Sequence, residues 1–227
     1  MYTHSMLFYL MSQDLSGVTG LIMFFGYILA VVIAISLHEF SHAYVAYKFG
    51  DPTAKNMGRL TLNPLAHFEI FGLISFLLIG FGWAKPVPVN PARFKNFKAG
   101  SIWVSLSGVL TNIALAFISS LILVLMISVF QVHTTDVGNA FVSVVNLFTL
   151  LNIALAVFNF LPIYPLDGFN FLRAILKPTN SFLIFMLKYG MFILIGLIVT
   201  GLFGFIINVV SVNILKGFLA FWNLFIP

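Results

Sequence analysis

The chain has no cysteine and very little charge. Of its 227 residues, 7% are charged and 61% are hydrophobic, and the mean hydropathy is +1.09. The absence of cysteine excludes disulfide bonds and metal centres with Cys ligands. Because an ordinary soluble domain carries about 25% charged residues, this chain is not a soluble globular protein. The same composition excludes disordered, collagen-like and coiled-coil classes. A polytopic membrane protein remains.

The few charged residues are mainly basic, with 11 Lys and Arg against 6 Asp and Glu. Nucleic-acid binding requires a soluble basic face, so we expect no nucleic-acid partner. Basic loops beside anionic lipid headgroups explain the excess of basic residues, and we expect the protein to lie in a lipid bilayer. The first 12 residues contain no basic residue, and we therefore expect no cleaved signal peptide.

Long apolar stretches predict an all-α fold with about five transmembrane helices, within a range of four to six. The stretches are 17–47, 101–130, 138–161, 181–203 and 205–226. A shorter apolar run at 69–83 predicts a re-entrant segment, because it is too short to span a bilayer. Alternation of polar and apolar residues at 58–62 predicts a small membrane-associated β-strand or hairpin.

Basic residues predict the orientation, since cytoplasmic loops carry an excess of Lys and Arg. Seven of these residues lie between the first two stretches and two follow the third: Lys48, Lys55, Arg59, Lys85, Arg93, Lys95 and Lys98, then Arg173 and Lys177. We therefore expect both loops on the cytoplasmic side and the N-terminus outside.

The first stretch contains the pattern H-E-x-x-H, from His38 to His42. Two histidines at positions i and i+4 lie on one face of a helix, where their ring nitrogens can share a metal ion. Glu39 can reach a metal-bound water instead of the metal. Ionisable residues in lipid require a partner, which a dication supplies. The alternative is a buried histidine pair bonded to backbone, with Glu39 paired to a lysine.

A catalytic zinc commonly has three protein ligands, and Asp167 is the favoured third. It follows two prolines within 159–168, at the cytoplasmic end of the third stretch. Such irregular backbone is tolerated at membrane depth where it lines a polar cavity. His67 and Glu69 are the other candidates for this ligand, and a helix-capping role for Asp167 is the alternative.

These motifs resemble the site-2 protease family of intramembrane zinc metalloproteases. The resemblance covers about 38–168 and rests on His38-Glu39-Phe40-Ser41-His42, Gly50-Asp51, Gly58-Arg59-Leu60-Thr61-Leu62-Asn63-Pro64, and Asn159 to Gly168. One departure is Val109 after Gly108, where many relatives have proline.

The resemblance implies one zinc ion per chain, bound by the residues that match His38, His42 and Asp167, with Glu39 as general base. It implies a single metalloprotease domain over 1–227, with a catalytic core at about 17–168 and C-terminal helices at 181–226. We expect no appended PDZ or CBS domain.

The expected function is hydrolysis of peptide bonds within or near transmembrane segments of single-span membrane proteins, as in regulated intramembrane proteolysis. We expect this in a prokaryotic cell membrane, with the active site towards the cytoplasm. A metal transporter and a non-proteolytic scaffold that binds transmembrane helices are the alternatives. The candidate substrate-binding residues are Asn159, Asn112, Leu60, Thr61 and Leu62.

Overall fold

The computed structural model describes residues 17–69, 71–72, 74–75 and 85–226. The α-helices that lie wholly within these ranges are α1 (Val18–Lys48), α2 (Thr53–Asn56), α3 (Phe97–Val124), α4 (Asp136–Phe160), α5 (Asp167–Ile175), α6 (Ser181–Val199) and α7 (Leu202–Trp222). Single 3-10 turns lie at Pro64–Ala66, Pro91–Arg93 and Val132–Thr134, and a π-helical turn at Leu125–Val129 extends α3.

Five of these helices are long and apolar enough to cross a membrane, namely α1, α3 with its π-helical turn, α4, α6 and α7. This confirms the predicted all-α fold with five spans. Side-chain caps explain two of the boundaries. Asn96 accepts the N–H of Ala99 at the start of α3, and Thr135 accepts the N–H of Gly138 at the start of α4. Each satisfies a backbone donor that the first turn leaves unpaired.

Helices α1, α3 and α4 pack together through small residues. The buried alanines along this interface are Ala30, Ala34, Ala43 and Ala46 of α1, Ala116 of α3, and Ala140 and Ala156 of α4. Lipid is as apolar as the helix surfaces, so hydrophobicity alone does not hold membrane helices together. Small residues let backbones approach closely, and the resulting packing stabilises the bundle.

The chain turns back at the end of α4, where Leu161 to Leu166 connect it to the short helix α5. Gly168, in the first turn of α5, lies against the end of α4. A Cβ on Gly168 would come 2.6 Å from the carbonyl oxygen of Leu161, so only glycine permits this approach. Helix α6 covers the connection, with Leu194 packed against Ile163 and Leu166.

The predicted β-strand at 58–62 is wrong. These residues form a turn in which Gly58 has a φ of +68°, and the ring Nε2 of His67 lies 2.8 Å from the carbonyl oxygen of Thr61. The hydroxyl of Thr61 accepts the N–H of Asn63. These local side-chain bonds to the backbone compete with a strand. Most of the predicted re-entrant segment, at 70, 73 and 76–83, lies outside the described residues.

Candidate metal centre

His38 and His42 of α1 present their ring Nε2 atoms to the same point. The two atoms are 3.1 Å apart, and both side chains are buried. Helical periodicity accounts for this, because residues four apart lie one above the other on one face.

Asp167 brings a carboxylate to the same point from the start of α5. Its Oδ2 lies 3.2 Å from Nε2 of His38 and 3.2 Å from Nε2 of His42. The close approach of Gly168 to the end of α4 holds α5 in this position. The favoured third residue of the cluster is therefore adjacent to both rings, although it is 125 residues beyond His42 in the chain.

The second nitrogen of each imidazole ring faces a hydrogen-bond acceptor. Nδ1 of His38 donates to Oδ1 of Asn112 at 2.9 Å, and Nδ1 of His42 donates to the carbonyl oxygen of Val104 at 2.7 Å. In a neutral ring one nitrogen donates and the other accepts. Both Nε2 atoms therefore direct lone pairs at each other and at a carboxylate oxygen.

Two imidazole nitrogens and a carboxylate oxygen that converge on one point could hold a metal ion. The three ligand atoms form a triangle with sides of 3.1–3.2 Å. A tetrahedral zinc ion with bonds of about 2.0–2.1 Å separates its ligands by about 3.3–3.4 Å. Oδ2 of Asp167 is also buried without a hydrogen-bond donor. The donor set of two imidazoles and one carboxylate therefore fits zinc and leaves one coordination position open.

Gly108 of α3 makes the room that such an ion needs. A Cβ at this position would lie 2.6 Å from Nε2 of His38 and 2.6 Å from Nε2 of His42. Any side chain here would occupy the space in front of the two ligand atoms. In the sequence, Gly108 was named only as the residue before the departure at Val109, and this role was not predicted.

Two further groups on α3 were also missed. The carbonyl oxygen of Val104 and the hydroxyl of Ser107 both lie beside Nδ1 of His42, at 2.7 and 3.2 Å. The signal was available in part, because positions 104, 108 and 112 recur every four residues and so share one face of a helix.

Glu39 lies beside the cluster and contacts a backbone donor. Its Oε2 accepts the N–H of Val87 at 3.0 Å. Within the described part of the chain, no lysine forms an ion pair with Glu39, so the alternative of a lysine partner finds no support there.

The other candidate residues lie at different places. The amide nitrogen of Asn159 donates to the carbonyl oxygen of Leu155 in its own helix at 3.0 Å. Leu60, Thr61 and Leu62 belong to the turn at 58–62, in which the carbonyl oxygen of Thr61 contacts the ring of His67. His67 itself is fully buried, and neither it nor Glu69 belongs to the group of His38, His42 and Asp167 that could hold a metal ion.

A membrane-embedded bundle with two histidines, a distant aspartate and an adjacent glutamate is characteristic of a zinc-dependent membrane metallopeptidase. Comparison with known families agrees, because residues 26–198 match Peptidase family M50. The chain belongs to this family, and its resemblance to the site-2 proteases is confirmed. The protein is therefore a multi-pass membrane protein and a zinc metallopeptidase by family.

Three relatives illustrate the similarity. "Putative zinc metalloprotease YwhC" of Bacillus subtilis is 37% identical over 205 residues, which cover 86% of this chain and 92% of that protein. "Putative zinc metalloprotease Rip2" of Mycolicibacterium smegmatis is 30% identical over 74% of this chain and 64% of its own length. "Zinc metalloprotease MJ0392" of Methanocaldococcus jannaschii is 26% identical over 66% of this chain and 34% of its own length. No solved structure matches significantly.

Proposed function

We propose that this protein is an intramembrane protease that hydrolyses peptide bonds within or near the transmembrane segments of single-span membrane proteins. The observation that carries the proposal is the convergence of His38, His42 and Asp167 on one point, with Glu39 beside it. His38, His42 and Asp167 would hold one zinc ion per chain, and Glu39 would act as general base.

The depth of the cluster supports cleavage inside the bilayer. Along α1, which rises about 1.5 Å per residue, His42 and His38 lie about 9 and 15 Å from the helix end at Lys48. The hydrocarbon core is about 30 Å thick. A site at this depth reaches peptide bonds that a soluble protease cannot contact.

When bound, zinc supplies Lewis-acid activation of water and of the scissile carbonyl group. Glu39 accepts a proton from the attacking water and passes it to the nitrogen of the leaving amine. Asn112 and Val104 accept hydrogen bonds from the histidine rings and keep each Nε2 directed at the ligand position. Gly108 keeps the space beside both Nε2 atoms open.

Asn159 remains a proposed substrate-binding residue. It lies in the last turn of α4, half-buried, and only its amide nitrogen is engaged within its own helix. Its carboxamide oxygen is available to accept a backbone N–H from a locally unwound substrate. Asn112 is better explained as a positioning residue for His38, since its oxygen already accepts the Nδ1–H of that ring.

The orientation is part of the proposal. The end of α1 nearest the cluster continues into the loop with most of the basic residues, which supports a site that opens towards the cytoplasm of a prokaryotic cell. The substrate would then be a membrane-bound regulator released by regulated intramembrane proteolysis.

The test uses purified protein in proteoliposomes with a fluorescently labelled single-span substrate, and compares the wild type with Glu39→Gln. We expect the variant to retain about one zinc per chain, because three ligands remain. Its cleavage rate should fall by about 10²–10⁴-fold, the usual contribution of general acid–base catalysis.

Asp136→Asn is the matched control, because Asp136 is an exposed acid at the start of α4. It should cleave as the wild type does. Undiminished cleavage by Glu39→Gln would contradict the role of Glu39. Zinc-loaded wild type that produces no fragment from any single-span substrate would favour the transporter or scaffold alternative.

A further inference from the structure

Residues 85–90, which we call the strap, contact the glutamate beside the metal cluster. Its sequence is Lys85-Pro86-Val87-Pro88-Val89-Asn90. Proline has no backbone N–H, so Val87 carries the single N–H between residues 86 and 88. That N–H donates to Oε2 of Glu39 at 3.0 Å.

Both ends of the strap are tied to buried groups. The N–H of Lys85 donates to the carbonyl oxygen of His67 at 2.9 Å, and the N–H of Asn90 donates to Oδ2 of Asp51 at 2.6 Å. The side chains of His67 and Asp51 are fully buried. The strap is therefore held on either side of Val87.

Asp51 is fixed in turn by its neighbours. Its Oδ1 accepts the backbone N–H of Thr53 at 3.0 Å and also the hydroxyl of Thr53. It lies three residues beyond Lys48, the last residue of α1, which is the helix that carries Glu39. Asp51 therefore connects the strap, through Asn90, to the segment that follows α1.

The contact restricts a side chain that is otherwise free to rotate. A glutamate has three rotatable side-chain bonds, and holding it in one arrangement has an entropic cost. A hydrogen bond to Oε2 restricts the side chain before substrate binds, and it leaves Oε1 available to accept a proton. Small misplacements of catalytic groups can reduce rates by about 10²-fold.

We infer that Val87 is a positioning residue, whose backbone N–H orients the carboxylate of Glu39 towards the water that it deprotonates. This inference rests on the proposed function of Glu39 as general base. It assigns a role to the strap, and through the strap to His67 and Asp51, which the metal cluster does not use.

The first test measures the contact itself, without substrate. Hydrogen exchange of the Val87 amide is followed by NMR in the zinc-loaded full-length protein and in Glu39→Ala. We expect at least about 10-fold faster exchange in the variant, because the acceptor is lost. Exchange at Val87 that is unchanged by the loss of the carboxylate would overturn the inference.

The second test removes only the N–H. The α-hydroxy analogue of valine, incorporated at position 87, replaces the amide with an ester and retains the side chain. We expect kcat to fall by about 10–100-fold with KM unchanged and about one zinc per chain retained. The same ester at Val89 is the matched control, because no acceptor for its N–H lies among the described residues, and it should keep the wild-type kcat.

The outcomes separate the inference from the proposed function. If the ester at position 87 retains zinc and the wild-type kcat, the positioning role is wrong and the protease remains. If the wild type itself cleaves nothing, the proposed function fails, and the exchange measurement still decides whether Glu39 holds the strap. Val87→Pro, which also lacks the N–H, serves as a second variant and should show the same selective loss of kcat.

Discussion

The three-helix core and the C-terminal helix pair are both strongly apolar in sequence but differ in what they bury. Helices α1, α3 and α4 bury polar groups, including Ser36, His38, His42, Ser105, Ser107, Asn112, Ser119, Ser120, Thr149 and Asn152. Helices α6 and α7 bury only Leu183, Gly190, Leu194 and Ser211. They expose large apolar side chains, such as Phe192, Val199 and Phe205.

This difference shows where specificity resides in a membrane protein. Lipid contact demands only an apolar surface, which many sequences satisfy. Polar groups away from lipid require partners within the bundle. We therefore expect substitutions in the core to change metal binding and cleavage. Substitutions on the lipid face of α6 should change neither.

The largest expected effect is that of Asp167→Ala. The variant removes one of three proposed ligands and leaves two histidines that cannot complete the site. We expect zinc content, measured by atomic absorption on purified protein, to fall from about one per chain to near zero, with complete loss of cleavage. Asp136→Ala should retain both. Full zinc occupancy in Asp167→Ala would exclude Asp167 as a ligand.

Gly108→Ala should be almost as severe, because the added methyl group lies within 2.6 Å of both ligand nitrogens. We expect zinc affinity, measured by competition with a fluorescent chelator, to fall further than it falls when only a supporting hydrogen bond is removed. Gly196→Ala in α6 is the matched control, since a Cβ there meets nothing within 4 Å. Equal zinc affinity in the two variants would contradict the role of Gly108 in leaving space beside the two Nε2 atoms.

Asn112→Leu should have an intermediate effect. It retains a similar volume but removes the acceptor that orients the ring of His38. Loss of such a partner typically lowers metal affinity by about 10–100-fold, and chelator competition would measure it. Asn213→Leu in α7, where the side chain is exposed and bonds only to its own helix, should leave zinc affinity unchanged. Unchanged affinity in Asn112→Leu would remove its positioning role.

Phe192→Ala should have the smallest effect. Its side chain is 73% exposed on α6, so lipid can replace it, and zinc content, cleavage and thermal stability should stay close to the wild type. Ile153→Ala in α4, at a fully buried site, should lower the unfolding midpoint by the equivalent of about 2–5 kcal/mol. Thermal-shift measurements that rank the two variants in the opposite order would contradict the comparison.

The features predicted correctly from sequence are those with a local signal. Runs of about 20 apolar residues indicate spans, and the i, i+4 spacing of His38 and His42 depends only on helical geometry. Asp167 was favoured on a weaker signal, the proline-interrupted segment 159–168 at the cytoplasmic end of the third stretch, and the sequence left His67 and Glu69 as alternatives. Its position beside both imidazole rings is a property of the folded chain.

The features that the sequence did not predict are tertiary contacts. The carbonyl oxygen of Val104 and the N–H of Val87 are backbone groups that every residue carries, so no residue type marks them. The strand prediction at 58–62 failed because a five-residue alternation does not reveal that the side chain of His67 approaches the carbonyl oxygen of Thr61.

The central claim is a zinc ion held by residues from two distant elements. Anomalous diffraction from crystals of the zinc-loaded protein, collected on both sides of the zinc absorption edge, tests it most directly. We predict one anomalous peak per chain, about 2.0–2.2 Å from Nε2 of His38, Nε2 of His42 and a carboxylate oxygen of Asp167. A peak at any other place, or one bound by the histidines with Asp167 turned away, would contradict the account.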